Sequence, residues 1–425
     1  ERVGWSRLLR STLLRRKRSA ALHSVRGSVT RLQRQTDPLP NSVGGPVIDR
    51  DFLKRCVNTE PSLLDLLETL VNLPSPSLQK RLVDSVSEFV TTCLRENGIP
   101  ATVVQKGSVG NIVWGEWRPE QPNGRILVLC HLDTVWPAGA ANRNPFRIEG
   151  EKIYGPGTFD MKAGVALTLK IQEFLAAKII QPVRAIRFLY TTDEEIGSFE
   201  SREIIEEFAR ESDIVLVTEP ALPGGGLKTF RKGSGIYRLE VGGRAAHAGL
   251  EPEKGINAIE EIALQITEIK RLEDRAKGTT VNFTLIEGGT ACNVVPDRAA
   301  ASIDMRFREE VEGKRVDSAL RGRQALTPGA RIEVSGSIDR PPMSRTEKTG
   351  RVFASAQAIA RELGMDLWEG EAGGGSDGNF TAALGVPTLD GLGVEGEGAH
   401  TWNEHILRSS LAPRLALLAR LIEKL

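Results

Sequence analysis

Apolar positions follow two different periods along this chain, and the switch between them predicts its elements. Leu63, Leu64, Leu66, Leu67 and Leu70 recur at helical spacing, V-N-L-P-S-P-S interrupts them, and a second helix is expected over 78–97. Runs rich in strand formers follow at 102–105, 111–114 and 125–130, and then a helical pattern over 165–178. The sharpest signal is 185–197, A-I-R-F-L-Y-T-T-D-E-E-I-G, an apolar strand ending in three consecutive carboxylates before S-R-E-I-I-E-E-F-A-R resumes helical spacing. Another strand, 213–217, ends in Thr218-Glu219-Pro220. Strands alternating with helices predict an α/β fold on a doubly wound, mostly parallel sheet.

The pattern changes after Gly224-Gly225-Gly226. Strands at 236–241, 280–287, 300–307 and 331–335 alternate with helices at 256–272 and 309–320 in the order β-α-β-β-α-β, which predicts a ferredoxin-like α+β unit. A helix over 351–363, the run Gly373 to Gly375, a strand over 386–389 and a leucine-rich terminal helix then return to the first sheet. The expected organisation is a leader (1–45), a catalytic domain in two parts (46–232 and 343–425), and an inserted lid or dimerisation domain (233–342).

A length of 425 residues exceeds one ordinary core, and 40% hydrophobic with 26% charged residues excludes a disordered chain. No apolar run approaches the roughly 20 residues of a membrane helix, so no membrane partner is expected. The net charge of +1 hides an asymmetry: residues 1–45 carry ten basic side chains against Glu1 and Asp37, leaving the remainder at −7. Such a leader is expected to be disordered. It suits a transit peptide, a nucleic-acid arm or an over-extended reading frame, and lacks the apolar core of a secretory signal. Cys56, Cys93, Cys130 and Cys292 are widely spread with no C-x-x-C pair, which fits reduced thiols and a cytoplasmic location.

Ligand-type side chains gather where strands end: His131, Asp160 beyond a short hairpin, Glu194 with Glu195, and Glu219. His400 lies in the loop G-E-G-A-H-T-W-N-E-H. Open parallel sheets bind ligands at that edge, and adjacent carboxylates repel unless solvent or a cation stabilises them. Mixed imidazole and carboxylate donors suit zinc, with cobalt or manganese as substitutes. No H-E-x-x-H is present, so any centre must be assembled from distant segments.

In this order, His131-x-Asp133, G-P-G-T-F-D-M-K-A-G, T-T-D-E-E-I-G-S, T-E-P and G-A-H resemble the dinuclear zinc peptidases that include aminoacylases, succinyl-diaminopimelate desuccinylase and glutamate carboxypeptidase. The resemblance covers about residues 63–425. D-E-E-I-G-S-F-E-S-R, G-G-G-S-D, C-N-V-V-P and the segment from H-L-D-T-V-W to N-P-F-R-I-E-G look like the bacterial glutamate carboxypeptidase branch, from which Met161 departs.

The resemblance implies two zinc ions per subunit, Asp160 bridging them, with His131 and Glu219 completing one and Glu195 and His400 the other. Asp133 would orient the His131 imidazole, and Glu194 would be the general base for a metal-bridging water. In the lid, His247 would stabilise the oxyanion, from its own or a partner subunit. Asn293, Arg306 and Arg340 would contact substrate, arginine suiting a carboxylate. Gly374, Gly375 and Ser376 would bring backbone near the ligand, with Lys228 as a weaker carboxylate contact. His23 and His405 read as surface residues.

The implied activity is metal-dependent cleavage of an amide next to a free carboxylate, releasing C-terminal glutamate from N-acyl or peptidyl conjugates. An N-acyl amino acid deacylase would use the same site on another leaving group. A non-catalytic metal-binding relative would lack a ligand or the base, and the sequence lacks neither. The expected partners are a small peptide or N-acyl amino acid substrate and a second copy of the chain, paired through edge strands of the inserted domain. Nucleic acid would fall to the basic leader alone.

Overall fold

A computed structural model describes residues 48–425. The basic leader and His23 lie outside them.

The central sheet has six strands in the order Ala101–Val104, Ile112–Trp117, Ala185–Thr191, Arg125–His131, Ile214–Val217 and Thr388–Leu389. The last four run parallel, and Ile112–Trp117 is antiparallel to both of its neighbours. Alternate residues of its inner strands feed two cores, as period-2 geometry requires. Val128, Cys130, Phe188 and Tyr190 enter one with the helices Glu60–Asn72, Ala163–Ala176 and Leu411–Lys424. Leu127, Leu129, Leu189 and Val215 enter the other with Arg202–Arg210. Burial on both faces explains why 185–191 is apolar at every position except Arg187 and Thr191.

Residues 233–340 form a second sheet, antiparallel throughout, in the order Thr280–Gly288, Arg298–Phe307, Gly233–Gly242, Arg331–Arg340. This is the strand order of a ferredoxin-like unit. Helices Ala258–Lys270 and Glu310–Arg321 cover one face, enclosing a separate core of Tyr237, Leu239, Ile303, Met305, Phe307, Val316 and Leu320. Asn257 caps the first helix, accepting from the amides of Ile259 and Glu260. The opposite face carries the alternate residues, Ile236, Arg238 and Glu240 among them.

Three features differ from the sequence expectation. The strand expected over 331–335 runs on to Arg340, because Ser335, Gly336 and Ser337 are exposed and carry no apolar position to mark its continuation. Leu227–Arg231 pairs in parallel with Glu369–Ala372, an association too short to show a period. His405, expected at the surface, is buried in the strand His405–Leu407, which pairs with Lys152–Tyr154. All four cysteines are free, and no helix of the described residues is long and apolar enough to cross a membrane.

Candidate metal centre

Strands Arg125–His131, Ala185–Thr191 and Ile214–Val217 end side by side, which brings His131, the 193–195 turn and Glu219 to one edge. His131 is 2% exposed. Its Nδ1 faces the Asp133 carbonyl oxygen at 3.0 Å and Asp133 Oδ1 at 3.5 Å, so Nδ1 carries a proton. Its Nε2 faces Asp160 Oδ1 at 3.2 Å and Glu219 Oε1 at 3.4 Å. A lone pair aimed at two carboxylates is repulsive unless positive charge lies between them. Burial opposes that charge on the ring itself, yet Asp133, Asp160 and Glu219 hold the His131 pKa well above its ordinary value.

Asp160 has one oxygen toward each of two imidazoles, Oδ1 on His131 and Oδ2 at 3.4 Å from His400 Nε2. The same nitrogen lies 3.2 Å from Glu195 Oε2. Asp160 and then Glu195 push His400 up to about 10, while burial pushes Glu195 up to about 7. Glu195 Oε1 is buried with no hydrogen-bond partner. Donor atoms of His131, Glu194 and Glu219, and again of His131, Asp160 and Glu195, lie within 4.8 Å of one another. Crowded carboxylates, Asp160 and Glu195 with no cation beside them among the described residues except imidazoles, and an orphaned oxygen together fit a pair of divalent cations.

The surroundings fix this geometry. The Asp133 carboxylate accepts from Ser77 Oγ at 2.7 Å and from the amides of Glu194 and Glu195 at 3.2 Å, so it holds the acidic turn as well as His131. Glu404 accepts from Trp136 Nε1 at 2.6 Å and from the amides of Gly157, Phe159 and Asp160 at 2.8, 2.9 and 3.0 Å, which fixes the loop carrying Asp160. Trp402 packs between Trp136 (4.7 Å between ring centroids) and the Arg143 guanidinium (4.0 Å) and anchors the loop of His400. Arg231 grips Asp390 through two nitrogens at 2.7 and 2.9 Å and reaches Glu219 Oε2 at 3.4 Å.

Asp193 departs from the expected row of three carboxylates. It turns away into the protein, accepting from the Glu200 amide at 2.7 Å and from the Ser201 hydroxyl, and burial pushes it up to about 6. Only Glu194 and Glu195 face the centre. Burial raises Glu194 well above the ordinary carboxylate range, although Arg340 and His131 oppose the rise.

The expected substrate residues are placed differently. His247 and Asn293 are exposed on the small ribbon Ala246–His247 with Val294–Val295, and no hydrogen bond or ion pair among the described residues joins them to the centre. His247 Nδ1 accepts from the amides of Gly249 and Leu250 at 3.1 Å, which leaves the ring proton on Nε2. Arg306 is committed to Asp304 on its own strand, at 2.6 to 3.1 Å. Arg340, expected to contact substrate, has its guanidinium on Glu194, Ser198 and Asp377. Ser376 faces Asp390 at 2.6 Å rather than open space, and the carbonyls of Gly374 and Gly375 accept from Arg231. Lys228 is buried within electrostatic reach of Asp390, Glu219 and Asp160; burial and then Arg231 lower its pKa, and its ammonium has no hydrogen-bond partner among the described residues.

Sequence reasoning missed Glu404, Arg231, Asp377 and Asp390. Glu404 and Asp377 stand inside motifs already singled out, G-A-H-T-W-N-E-H and G-G-G-S-D. Arg231 and Asp390 carry no local signal.

The chain is similar to curated and solved proteins over most of its length. It is 31% identical to a carboxypeptidase G2 from Pseudomonas, covering 88% of this chain and 92% of that one. It is 28% identical to a succinyl-diaminopimelate desuccinylase from Acinetobacter baumannii, covering 83% and 98%. The crystal structure of aminopeptidase PepT from Bacillus cereus shares the fold, with a TM-score of 0.68 at 23% identity over 87% of this chain and 98% of that one. Residues 127–424 match the description "Peptidase family M20/M25/M40". The chain belongs to that family of metal-dependent hydrolases.

Proposed function

We propose that this chain hydrolyses an amide bond next to a free carboxylate with two divalent cations, zinc for preference, and that it releases C-terminal glutamate from N-acyl or peptidyl conjugates. The observation that carries the reading is Asp160, one oxygen toward each imidazole, as a carboxylate bridging two cations requires. In this reading His131 and Glu219 complete one cation's ligands, and Glu195 and His400 the other's. Bound there, the cations supply a Lewis acid that polarises the scissile carbonyl and acidifies the attacking water.

The chain's own groups do the rest. Glu194 takes the water's proton and hands it to the leaving nitrogen, and burial gives it the raised basicity this demands. Asp133 keeps His131 in the tautomer with a free Nε2. His247, with its proton on Nε2, donates to the developing oxyanion once the lid or a partner's lid brings it over the site. Lys228 is the cation left free to hold the substrate carboxylate. Leu285 and Ile286 on the edge strand, 70% and 62% exposed, with Ile259 and Leu264 on the adjacent helix, support a homodimer through the four-stranded unit.

The similarity to the carboxypeptidase supports glutamate as the leaving group, and that to the desuccinylase favours an N-acyl amino acid deacylase as the second reading. The test is a panel of N-acyl-L-glutamates, other N-acyl amino acids and dipeptides, with zinc-loaded, chelator-stripped and Glu194→Gln protein. Zinc-restorable turnover that falls 100-fold or more in Glu194→Gln is expected. If glutamate conjugates are ignored and another acyl class turns over, the substrate assignment falls. Full activity in Glu194→Gln would remove the base.

A further inference from the structure

Arg340 is the last residue of the four-stranded unit, and it pairs with Ser234, next to the other crossing between that unit and the main sheet. The register slips between Ile338 and Arg340, and such slips re-aim a side chain out of the strand's alternation. Here the slip sends the guanidinium to the metal centre's edge, where Arg340 is 4% exposed. Its Nη2 lies 2.9 Å from each of Glu194 Oε1, the Glu194 carbonyl oxygen and Ser198 Oγ, and its Nη1 lies 3.0 Å from Asp377 Oδ1. The Phe380 ring stands 5.0 Å away. Gly375 clears its path, since a Cβ there would fall 2.7 Å from Arg340 Cδ.

We propose that Arg340 is a positioning residue that holds the Glu194 carboxylate and ties its alignment to the seating of the four-stranded unit. The inference rests on the reading of Glu194 as general base. The two arms of one planar fork hold Glu194 and Asp377 at once, Nη2 on the carbonyl and carboxylate of Glu194 and Nη1 on Asp377, a span that a single ammonium nitrogen cannot reproduce. Because Arg340 stands where the chain crosses between units, rotation about the segments 231–234 and 340–343 displaces the group that aligns the base. Proton transfer is then efficient only with the unit seated, a way for substrate-driven closure to complete a catalytic site.

The test uses the metal-loaded full chain and the amide it hydrolyses best. Arg340→Met is expected to lower kcat at least 30-fold with KM changed less than threefold and metal content unchanged. Arg340→Lys should recover only part of this, and serves alone if the methionine variant does not fold. Methylguanidinium at millimolar concentration is expected to raise the kcat of Arg340→Ala at least threefold, a rescue that a merely structural role would not show. A rise in KM with kcat unchanged overturns the proposal in favour of a substrate-carboxylate contact. Thermal unfolding of Arg340→Met, Glu194→Gln and the double variant gives a readout independent of turnover. The two losses of Tm are expected to be non-additive, and additive losses overturn the proposal. A wild type that hydrolyses no amide sinks the reading of the site, and this cycle then decides alone whether Arg340 holds Glu194.

Discussion

Both ring nitrogens of His131 face oxygens of Asp133, Asp160 and Glu219, and the residue is 2% exposed; His247 is exposed and its ring bonds only within its own loop. The same contrast runs through their neighbours. His131, Asp160, Glu195 and Glu219 stand at or beside strand ends, and their partners Asp133, Glu404 and Arg231 are themselves buried. His247, Asn293 and Arg306 lie in the four-stranded unit, satisfied locally or open to solvent. Folding therefore brings the candidate metal ligands together, whereas in the proposed reading recognition is left to a later approach of surfaces. Crowding carboxylates is unfavourable, and the main sheet's cores offset that cost. An exposed histidine on a two-residue ribbon buries little surface, so the fold depends little on it.

The strongest way to break this contrast is Glu404→Ala. The substitution strands the indole N–H of Trp136 and three backbone amides around Asp160. At about 1–3 kcal/mol for each buried group left unpaired, a loss above about 3 kcal/mol is expected in denaturant unfolding. Metal affinity should fall about 10–100-fold, as when a group supporting a metal ligand is lost. Wild-type metal affinity in Glu404→Ala would mean that Asp160 is held by something else.

Much of this was legible in the sequence, for a physical reason. A buried parallel strand must be apolar, and a polar residue directly after it must sit at the sheet's edge. That logic reaches His131, Glu194, Glu195 and Glu219 without knowledge of any contact. It fails for Asp193, whose neighbours are equally acidic but whose side chain faces inward toward Ser201. It fails for Glu404, whose amide partners lie more than 240 residues earlier in the chain. It fails for Arg340, because one extra residue at a register slip reverses which face a side chain meets. Charged residues buried by distant partners leave no periodicity to read.

His247→Ala sharpens the contrast from the other side. Removing an exposed side chain should leave Tm and metal content unchanged while kcat falls about 10²–10³-fold, the usual loss of an oxyanion donor. A fall in Tm of several degrees would show that the ribbon contributes to the fold after all. Mixing inactive His247→Ala with inactive Glu194→Gln then distinguishes the source of the donor. Activity recovered in mixed dimers places His247 over the partner's centre, and none recovered keeps it within its own chain.

The smallest effect concerns what stabilises the four-stranded unit. Glu312, in the first turn of Glu310–Arg321, accepts from Arg315 at 2.7 Å, Lys277 at 3.1 Å and Thr279 Oγ1 at 3.2 Å. Arg315, and then Lys277, hold it down to about 2. Its pKa is thus depressed below the unfolded value of about 4.3, so the unfolded chain binds the extra proton between those limits. The contribution is fully present above about pH 4.3 and is lost as pH falls toward 2. Both cations are solvent-exposed, so its size should be about 1 kcal/mol or less. In metal-free protein, Glu312→Gln should therefore lower Tm slightly at pH 7 and much less at pH 3. An equal deficit at both values would show that the pairs contribute nothing and that packing of Val316 and Leu320 alone secures the helix.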